Sequence, residues 1–138
     1  LISFSAYRVA RLSAALSAAQ SRGVKITLLL ETTADSGGQL SNDALNAFSD
    51  LQLDQIEILQ WPKENRGVNA AGKPGKLHAK CAVVDDAVVI SSANLTDDAF
   101  NRNMEMGVVA HNAGLAVAVR KHFEELKEVG ILRVMTVQ

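Results

Sequence analysis

Two residues near the middle of the chain, His78 and Lys80, have the chemical types needed to attack a phosphate ester. A neutral imidazole can act as a nucleophile near pH 7, and a fixed ammonium can stabilise the negative oxygens of a phosphate. Alternate side chains of a β-strand point to the same face, so a strand through this segment would present both residues to one cleft. The pair therefore predicts cleavage of a phosphodiester without a metal ion.

Further polar residues follow this pair at short intervals. Asp85 precedes a second apolar run, Ser92 and Asn94 come at its end, and Glu105 lies on the next apolar segment. The Glu105 carboxylate could accept the Nδ1 proton of His78, which would fix the tautomer that aims Nε2 at phosphorus. We expect Asp85 to hold a hairpin and its local hydrogen bonds, with a part that is more structural than chemical.

The composition is that of a globular protein with a single domain. The chain has 138 residues, of which 48% are hydrophobic and 21% charged, and its net charge is -1. Any affinity for nucleic acid must therefore come from a local basic patch. Because Leu1 lies inside an apolar stretch, we expect that further residues precede it and that 1–138 is one domain truncated at its N-terminus.

Cysteine usage bears on the compartment and on metal binding. The one cysteine, Cys81, cannot form an internal disulfide, and no Cys/His cluster has the spacing of zinc ligands. We therefore expect a cytoplasmic protein with no metal and no other cofactor. No apolar run reaches the length of a membrane span, so we expect none.

The first sixty residues have the hydrophobic pattern of alternating strands and helices. Strands are expected at 1–5, 24–31 and 56–61, an Ala-rich helix at 7–22, and a short helix capped by Ser41 that runs to residue 50. A helix that crosses back over a sheet leaves the strands it connects parallel. This half of the chain predicts a βαβαβ unit.

The second half predicts further strands with a different connection. Apolar runs at 76–84, 87–91, 104–110 and 131–137 read as strands, and 115–129 as an amphipathic helix. The first two runs flank a short Asp-Asp turn and should form an antiparallel hairpin. The expected fold is therefore α/β, a mixed β-sheet flanked by helices on both faces.

A basic loop separates the two halves. Residues 62–76 hold four cations against one acid, Glu64. We expect Arg66, Lys73 and Lys76 to line the approach to His78 and to attract phosphate groups. A solvated loop whose charges have no function is the alternative.

Part of this loop, GVNAAGKP at 67–74, contains the G-x4-G-K core of a nucleotide-binding loop. That motif needs a Ser or Thr hydroxyl for Mg²⁺ and a helix after it, and Pro74 supplies neither. The sequence therefore argues against nucleotide binding here.

The series H-x-K-x4-D from His78 to Asp85, followed by SSAN and N-x-E, resembles the HKD motif of the phospholipase D superfamily. Longer segments, SFSAYR, SRGVKITLLLE, LHAKCAVVD, SSANLT and NMEMGVV, are similar to the phospholipase D-like DrmC proteins of the DISARM anti-phage systems. Two features depart from the superfamily pattern: Ser91 stands where a glycine is common, and the hairpin is one residue shorter. The resemblance implies a phospholipase D-like half with phosphodiesterase activity.

The resemblance also assigns roles to residues. It implies a covalent phosphohistidine on His78, with a second HKD histidine across the phosphate to protonate the leaving group. Lys80 and Asn94 are then expected to hold phosphate oxygens. The expected catalytic residues are His78, Lys80, Asp85, Asn94 and Glu105, and the expected substrate-binding residues are Ser92, Lys76, Lys73 and Arg66, with no metal ligands.

The chain carries a single copy of this motif. His111 and His122 lack a lysine and an aspartate at motif spacing. The second histidine must therefore come from another subunit or from a part of a longer polypeptide. We favour a homodimer in which two copies of His78 meet at a two-fold axis.

The favoured function is a nuclease that acts on DNA in bacterial anti-phage defence, together with other defence-system proteins. It rests on the DISARM resemblance, the basic loop and the lack of an amphipathic, Trp/Phe-rich membrane-binding segment. One alternative is a phospholipase or phosphatidyl transferase, since lipids present the same phosphodiester. The other is a non-catalytic nucleic-acid-binding subunit that keeps the pocket without turnover.

Overall fold

The protein is built on a mixed sheet with helices on both sides. The structure, a computed structural model, describes residues 1–3, 5–7, 9–36, 40 and 44–136. Its strands are β1 (Ile2–Ser3), β2 (Ala6–Tyr7), β3 (Thr27–Leu30), β4 (Glu57–Gln60), β5 (Cys81–Val84), β6 (Ala87–Ser91), β7 (Leu95–Thr96), β8 (Gly107–His111) and β9 (Arg133–Val134). Its helices are α1 (Ala10–Ser21), α2 (Asp97–Asn101) and α3 (Ala113–Glu128).

Seven strands form the main sheet, in the order β8-β6-β5-β1-β3-β4-β9. The central strands are parallel: Ile2 pairs with Leu29, and Leu28 with Ile58. α1 makes the crossover between β1 and β3, and just after its end Gly23 takes a φ of +78°, a conformation that favours glycine. The parallel βαβ unit expected from the sequence is confirmed.

Alternating side chains of the central strands pack into two apolar cores, one on each face of the sheet. Leu28 and Ile58 are fully buried on the face that α1 covers. Leu29 and Leu59 point to the other face, where Phe123 of α3 packs against them. A mixed sheet with helices on both faces was the expected fold class, and it is confirmed.

The hairpin predicted in the second half is also present. β5 and β6 pair antiparallel, from Cys81 opposite Ile90 to Val84 opposite Ala87, and Asp85 in the turn has a φ of +52°. β8 adds to β6, again antiparallel, and forms one edge of the sheet.

The strands near the predicted chemistry begin later than the apolar pattern indicates. β5 begins at Cys81 rather than at residue 76, and β8 at Gly107 rather than at residue 104. In each preceding segment a side chain takes a backbone N–H: Glu31 accepts from Leu77, and Ser92 accepts from Met106. In both segments these side-chain bonds occur beside single backbone bonds, from the Ser91 N–H to Lys80 and from the Ser92 N–H to Met106.

Several short elements were not predicted. β2 and β7 pair parallel as a separate two-stranded sheet, and α2 follows directly, with Thr96 accepting the N–H of Ala99 at its start. The predicted cap at Ser41 lies outside the described residues, and the segment after it is a 3-10 helix, Ala44–Phe48. The last strand is shorter than predicted.

Candidate active site

His78 lies on an extended segment that leads into the hairpin. Residues 75–80 belong to no strand, and His78 is exposed whereas Lys80 is only 8% exposed. The expectation that both side chains project from one strand face is therefore corrected. The imidazole reaches solvent, and the ammonium lies against the backbone of the same segment, because Lys80 Nζ donates to the carbonyl oxygen of His78 at 2.7 Å.

The environment of Lys80 is that of a fixed cation. Burial lowers the pKa of Lys80, and the negative charge of Glu105 acts in the opposite direction. An ammonium has three donors, so two N–H groups remain beyond the bond to His78. Lys80 can thus present hydrogen bonds and charge to a phosphate oxygen.

Glu105 is held by two neighbouring side chains. The Ser92 hydroxyl donates to Glu105 Oε2 at 2.5 Å, and Asn103 Nδ2 donates to Oε1 at 3.3 Å. Ser92 also accepts the N–H of Met106 at 3.1 Å, which ties the end of β6 to the start of β8. Ser92 therefore links the ends of the two strands next to Glu105, whose charge acts on Lys80. The pairing of Glu105 with His78 stays a prediction.

The side-chain amide of Asn94 has an unpaired oxygen atom within the described residues. The next residue, Leu95, donates its N–H to the carbonyl oxygen of Ser5 at 3.0 Å, which fixes the backbone. Asn94 Oδ1 is buried and has no hydrogen-bond partner within the described residues. Leaving a buried polar atom unpaired costs free energy, and such atoms in folded proteins call for an explanation. A flip of the terminal group would turn its N–H donors to the same place.

Ser91, the residue that replaces the superfamily glycine, is accommodated by a glycine on the opposite strand. Gly107 pairs with Ser91, and a Cβ at position 107 would lie 2.8 Å from the carbonyl oxygen of Ile90 and 3.1 Å from Ser91 Cβ. The Ser91 hydroxyl accepts the N–H of Ala93 at 3.0 Å. Ser91 therefore shapes the turn that leads to Asn94.

Asp85 is not part of this cluster. It lies in the exposed turn at the far end of β5, and its carbonyl oxygen accepts a hydrogen bond from Arg120 at 2.5 Å. This place in the turn fits the structural part expected of Asp85 and sets it apart from Lys80 and Glu105, and a part in catalysis stays a prediction. Lys80 immediately precedes β5 and Asp85 immediately follows it, so the length of the extended strand separates the two residues.

Arg66 also lies elsewhere than predicted. It is 6% exposed, and its guanidinium pairs with the buried carboxylate of Glu31 at 2.7 Å. Arg66 is therefore not available to line a substrate approach, because a buried ion pair holds it. The sequence analysis missed Glu31, although a lone acid at the end of an apolar strand is a signal for a buried partner.

Lys73 and Lys76 are exposed on the loop, as expected. The loop is ordered by its own bonds: Val68 bridges Pro74, and Asn69 Oδ1 accepts the N–H of Lys73 at 3.0 Å. No helix follows Pro74, which agrees with the argument against a nucleotide-binding loop.

The other two histidines and the cysteine have surroundings that differ from those of the motif residues. His111 ends β8 opposite Ala87, and His122 lies exposed on α3 with its ring 5.2 Å from that of Phe123. Cys81 packs with the core around Ile2, and burial raises the pKa of its thiol. Among the described residues, no group of three or more His, Cys, Asp and Glu could hold a metal ion. No helix in the described part of the chain could span a membrane.

Comparison with solved structures shows the same fold in other proteins. Nuc, a phospholipase D family member from Salmonella typhimurium, is 24% identical with a TM-score of 0.68, over 99% of this chain and 79% of Nuc. NucT from Helicobacter pylori is 17% identical with a TM-score of 0.71, over 92% of this chain and 76% of NucT. Phosphatidylserine synthase from Haemophilus influenzae Rd KW20 is 12% identical with a TM-score of 0.61, over 97% of this chain and 33% of the synthase.

At the level of sequence, no curated protein matches the chain. The family described as "Cardiolipin synthase, PLD-like domain" matches residues 1–127, nearly the whole length. The motif residues His78, Lys80 and Asn94 fall inside this match. The chain therefore belongs to this family of phospholipase D-like domains and is, by homology, a phosphodiesterase of the phospholipase D superfamily.

Proposed function

We propose that the protein is a metal-independent nuclease that cleaves DNA through a phosphohistidine on His78. The observation that carries the proposal is the arrangement around Lys80: a buried cation next to Glu105, on the segment that exposes the His78 imidazole. A phosphodiester needs an in-line nucleophile, positive charge on its free oxygens and a proton for the leaving oxygen. His78 would provide the nucleophile and Lys80 the positive charge, both within one chain.

The reaction would run in two steps. In the first, the neutral Nε2 of His78 forms a bond to phosphorus while the bond to the leaving oxygen breaks, and a protonated second imidazole donates its proton to that oxygen. In the second, the now neutral imidazole takes a proton from water, the water oxygen bonds to phosphorus, and the N–P bond breaks. Lys80 and Asn94 would hold the phosphate oxygens in both steps.

The second imidazole would come from a second copy of the chain. An exposed apolar strip adjoins the site: Ile90, Met106 and Val108 are 49%, 83% and 57% exposed. Ile90 and Val108 are paired neighbours in β6 and β8, and β8 is an edge strand. Edge strands and large apolar patches are normally covered, and a two-fold axis beside Glu105 would cover this one and bring two copies of His78 together.

DNA is favoured as the substrate by the charge of the loop that leads to His78. Lys63, Lys73 and Lys76 are exposed, and none of them forms an ion pair within the described residues. Glu64, the only acid of this loop, pairs with Arg133 at 2.6 Å. The loop therefore presents uncompensated positive charge, which attracts a polyanion.

Turnover in EDTA by wild-type protein and two variants tests the proposal. His78→Ala should lose at least about 100-fold in rate on a single-stranded DNA and on bis-p-nitrophenyl phosphate, because it removes the nucleophile. His122→Ala, a change to an exposed histidine on α3, is the matched control and should keep the wild-type rate. Equal rates for wild-type protein and His78→Ala would favour a non-catalytic binding subunit.

A phosphatidyl transferase is the second candidate, and the comparisons favour it in one respect. The description of the matching family names cardiolipin synthase, and phosphatidylserine synthase from Haemophilus influenzae shares the fold. Flotation with phosphatidylglycerol vesicles and a DNA gel shift over a salt series separate the two. DNA binding that weakens steeply with salt supports the nuclease, and vesicle binding without it supports the transferase.

The setting in the cell is proposed from the sequence resemblance. The segments similar to the DISARM phospholipase D-like proteins suggest a cytoplasmic role in anti-phage defence beside other proteins of that system. The family match supports the superfamily, and the solved structures support the fold; neither supports this subgroup. Phage plating on cells with and without His78→Ala would test the role.

A further inference from the structure

The segment that carries His78 is fixed by a buried ion pair outside the HKD motif. The side chains of Arg66 and Glu31 are both 0% exposed. Arg66 Nη2 donates to Glu31 Oε1 at 2.7 Å and Nη1 donates to Oε2 at 2.9 Å, a bidentate pair with strong directional preference. Glu31 Oε2 also accepts the backbone N–H of Leu77 at 3.0 Å, and Leu77 immediately precedes His78.

The same guanidinium binds the backbone around the motif. Its Nη1 donates to the carbonyl oxygens of Gly75 at 3.1 Å and Asp35 at 3.2 Å, and its Nε donates to that of Trp61 at 2.9 Å. The Arg66 guanidinium also stacks on the Trp61 ring, 4.9 Å from its centroid. Arg66 thus joins the regions that follow β3 and β4 to the segment that enters the active site.

This network holds the stretch of backbone that lies just before β5. Residues 75–80 lie outside the strands, yet the backbone at 75 and 77 is bonded to Arg66 and Glu31. Within the described residues, the backbone on the other side of His78 is also bonded to the sheet, because the N–H of Ser91 donates to the carbonyl oxygen of Lys80 at 3.2 Å. His78 lies between these two anchors.

We propose that Glu31 and Arg66 are positioning residues for His78, a role that rests on the proposed phosphodiesterase function. Neither side chain reaches a substrate, because both are buried. Their bonds set the place of the Leu77 amide and hence of the backbone from which the nucleophile projects. An error of about 1 Å in the position of a reacting group can cost about 100-fold in rate.

Turnover kinetics distinguish positioning from plain support of the fold. Glu31→Gln removes the negative charge of the carboxylate and one of its two acceptor oxygens. Arg66→Lys keeps the positive charge but cannot donate the two parallel hydrogen bonds of the guanidinium. We expect kcat per folded protein to fall at least about tenfold in both, with KM changed less than about twofold, since binding groups stay in place. Lys127→Met is the control, since it breaks a distant network in which Lys127 binds Glu57 at 2.8 Å and Glu124 at 2.6 Å. It should lower stability and leave kcat unchanged.

Two further readouts complete the test. Added guanidinium ion should restore part of the kcat of Arg66→Ala, since it can occupy the vacated site, and it should not affect His78→Ala. Amide hydrogen exchange at Leu77 should accelerate at least about tenfold in Glu31→Gln and not in Lys127→Met. Wild-type kcat in folded Glu31→Gln and Arg66→Lys would overturn the proposal, and so would unchanged exchange at Leu77.

The exchange measurement also separates this proposal from the function on which it rests. If wild-type protein shows no turnover that His78→Ala abolishes, the proposed phosphodiesterase function fails. Exchange at Leu77 then still decides whether Glu31 fixes this segment, because it needs no substrate.

Discussion

At the scale of single residues, the site concentrates groups that do not stabilise the fold. Lys80 is a buried ammonium whose lowered pKa reports that burial disfavours its charge. Asn94 has a buried, unpaired Oδ1 within the described residues. Such groups are expected where a ligand supplies the missing partner. A phosphate would accept hydrogen bonds from the Lys80 ammonium and, with the terminal amide flipped, from Asn94 Nδ2.

Replacement of Lys80 by Met should give a stability difference that depends on pH. The pKa of Lys80 in the folded protein lies below its ordinary value of 10.5. Between the two values the unfolded chain holds a proton that the folded chain has lost, so the wild-type free energy of unfolding gains from rising pH. The difference, wild type minus Lys80→Met, should therefore increase as pH rises through that window.

Urea unfolding of both proteins at a series of pH values from 7 to 10.5 measures this difference. Subtraction of the variant removes the opposite trend from Cys81, whose raised pKa lowers stability as pH rises above 9.0. A difference that stays flat or declines would show that Lys80 is not desolvated in the folded protein.

The residue types of the site could be predicted from sequence, and their surroundings only in part. The spacing of His78 and Lys80 pointed to phosphodiester chemistry, and the resemblance to the HKD motif added Asn94. The burial of Arg66 could not be predicted, since an arginine in a basic loop reads as exposed and its partner Glu31 lies 35 residues earlier. The distance of Asp85 from the cluster follows from the hairpin that the sequence predicts, in which Asp85 lies at the turn.

At the scale of elements, the junction of β6 and β8 determines whether the site can form. Ser92 lies just past β6 and bonds to Glu105 and Met106, just before β8. Ser91 and Gly107 pair beside this junction, where the two backbones approach closely. The sequence predicts both strands, because their apolar runs are clear, but it places the start of β8 too early. At Met106 the N–H binds the Ser92 hydroxyl, while the Met106 carbonyl oxygen still accepts the N–H of Ser92.

Gly107→Ala should destabilise the protein through this close approach. The new methyl group would meet the Ile90 carbonyl oxygen at 2.8 Å, so a strand must shift. Overpacking of this kind costs about 1–3 kcal/mol. Thermal and urea unfolding should show the loss, and kcat should fall as Ser92 is displaced.

Gly67→Ala is the matched control, because a Cβ at position 67 meets nothing within 4 Å. It should leave stability and turnover close to wild type. Equal stability of the two variants would mean that β6 and β8 do not approach as closely as described.

At the scale of the whole molecule, the proposed mechanism needs two HKD motifs, and this sequence holds one. The edge strand β8 and its neighbour leave an apolar strip exposed beside Glu105, and β9 forms the opposite edge of the sheet. The single copy of the motif predicts a dimer from sequence, and the dimer stays a prediction. The position of the apolar strip could not be predicted from the sequence, because the exposure of Met106 and Val108 depends on where the sheet ends.

Val108→Asp should convert a dimer to monomers and abolish turnover, because the interface would bury an unpaired carboxylate. Val134→Asp is the control: Val134 lies on β9 and is 57% exposed, as is Val108. Light scattering after gel filtration measures the mass of each protein, and the same samples are assayed for turnover. A fully active wild-type monomer would contradict the shared site.

The most direct test of the account is the covalent intermediate itself. Wild-type protein would be mixed with bis-p-nitrophenyl phosphate in EDTA, quenched in alkali within the first turnovers, and digested for mass spectrometry. We predict a nitrophenyl phosphate group bonded to the peptide that contains His78, with His122→Ala forming it to the same extent and His78→Ala not at all. Turnover in EDTA with no adduct at His78, or with the adduct at another residue, would contradict the mechanism.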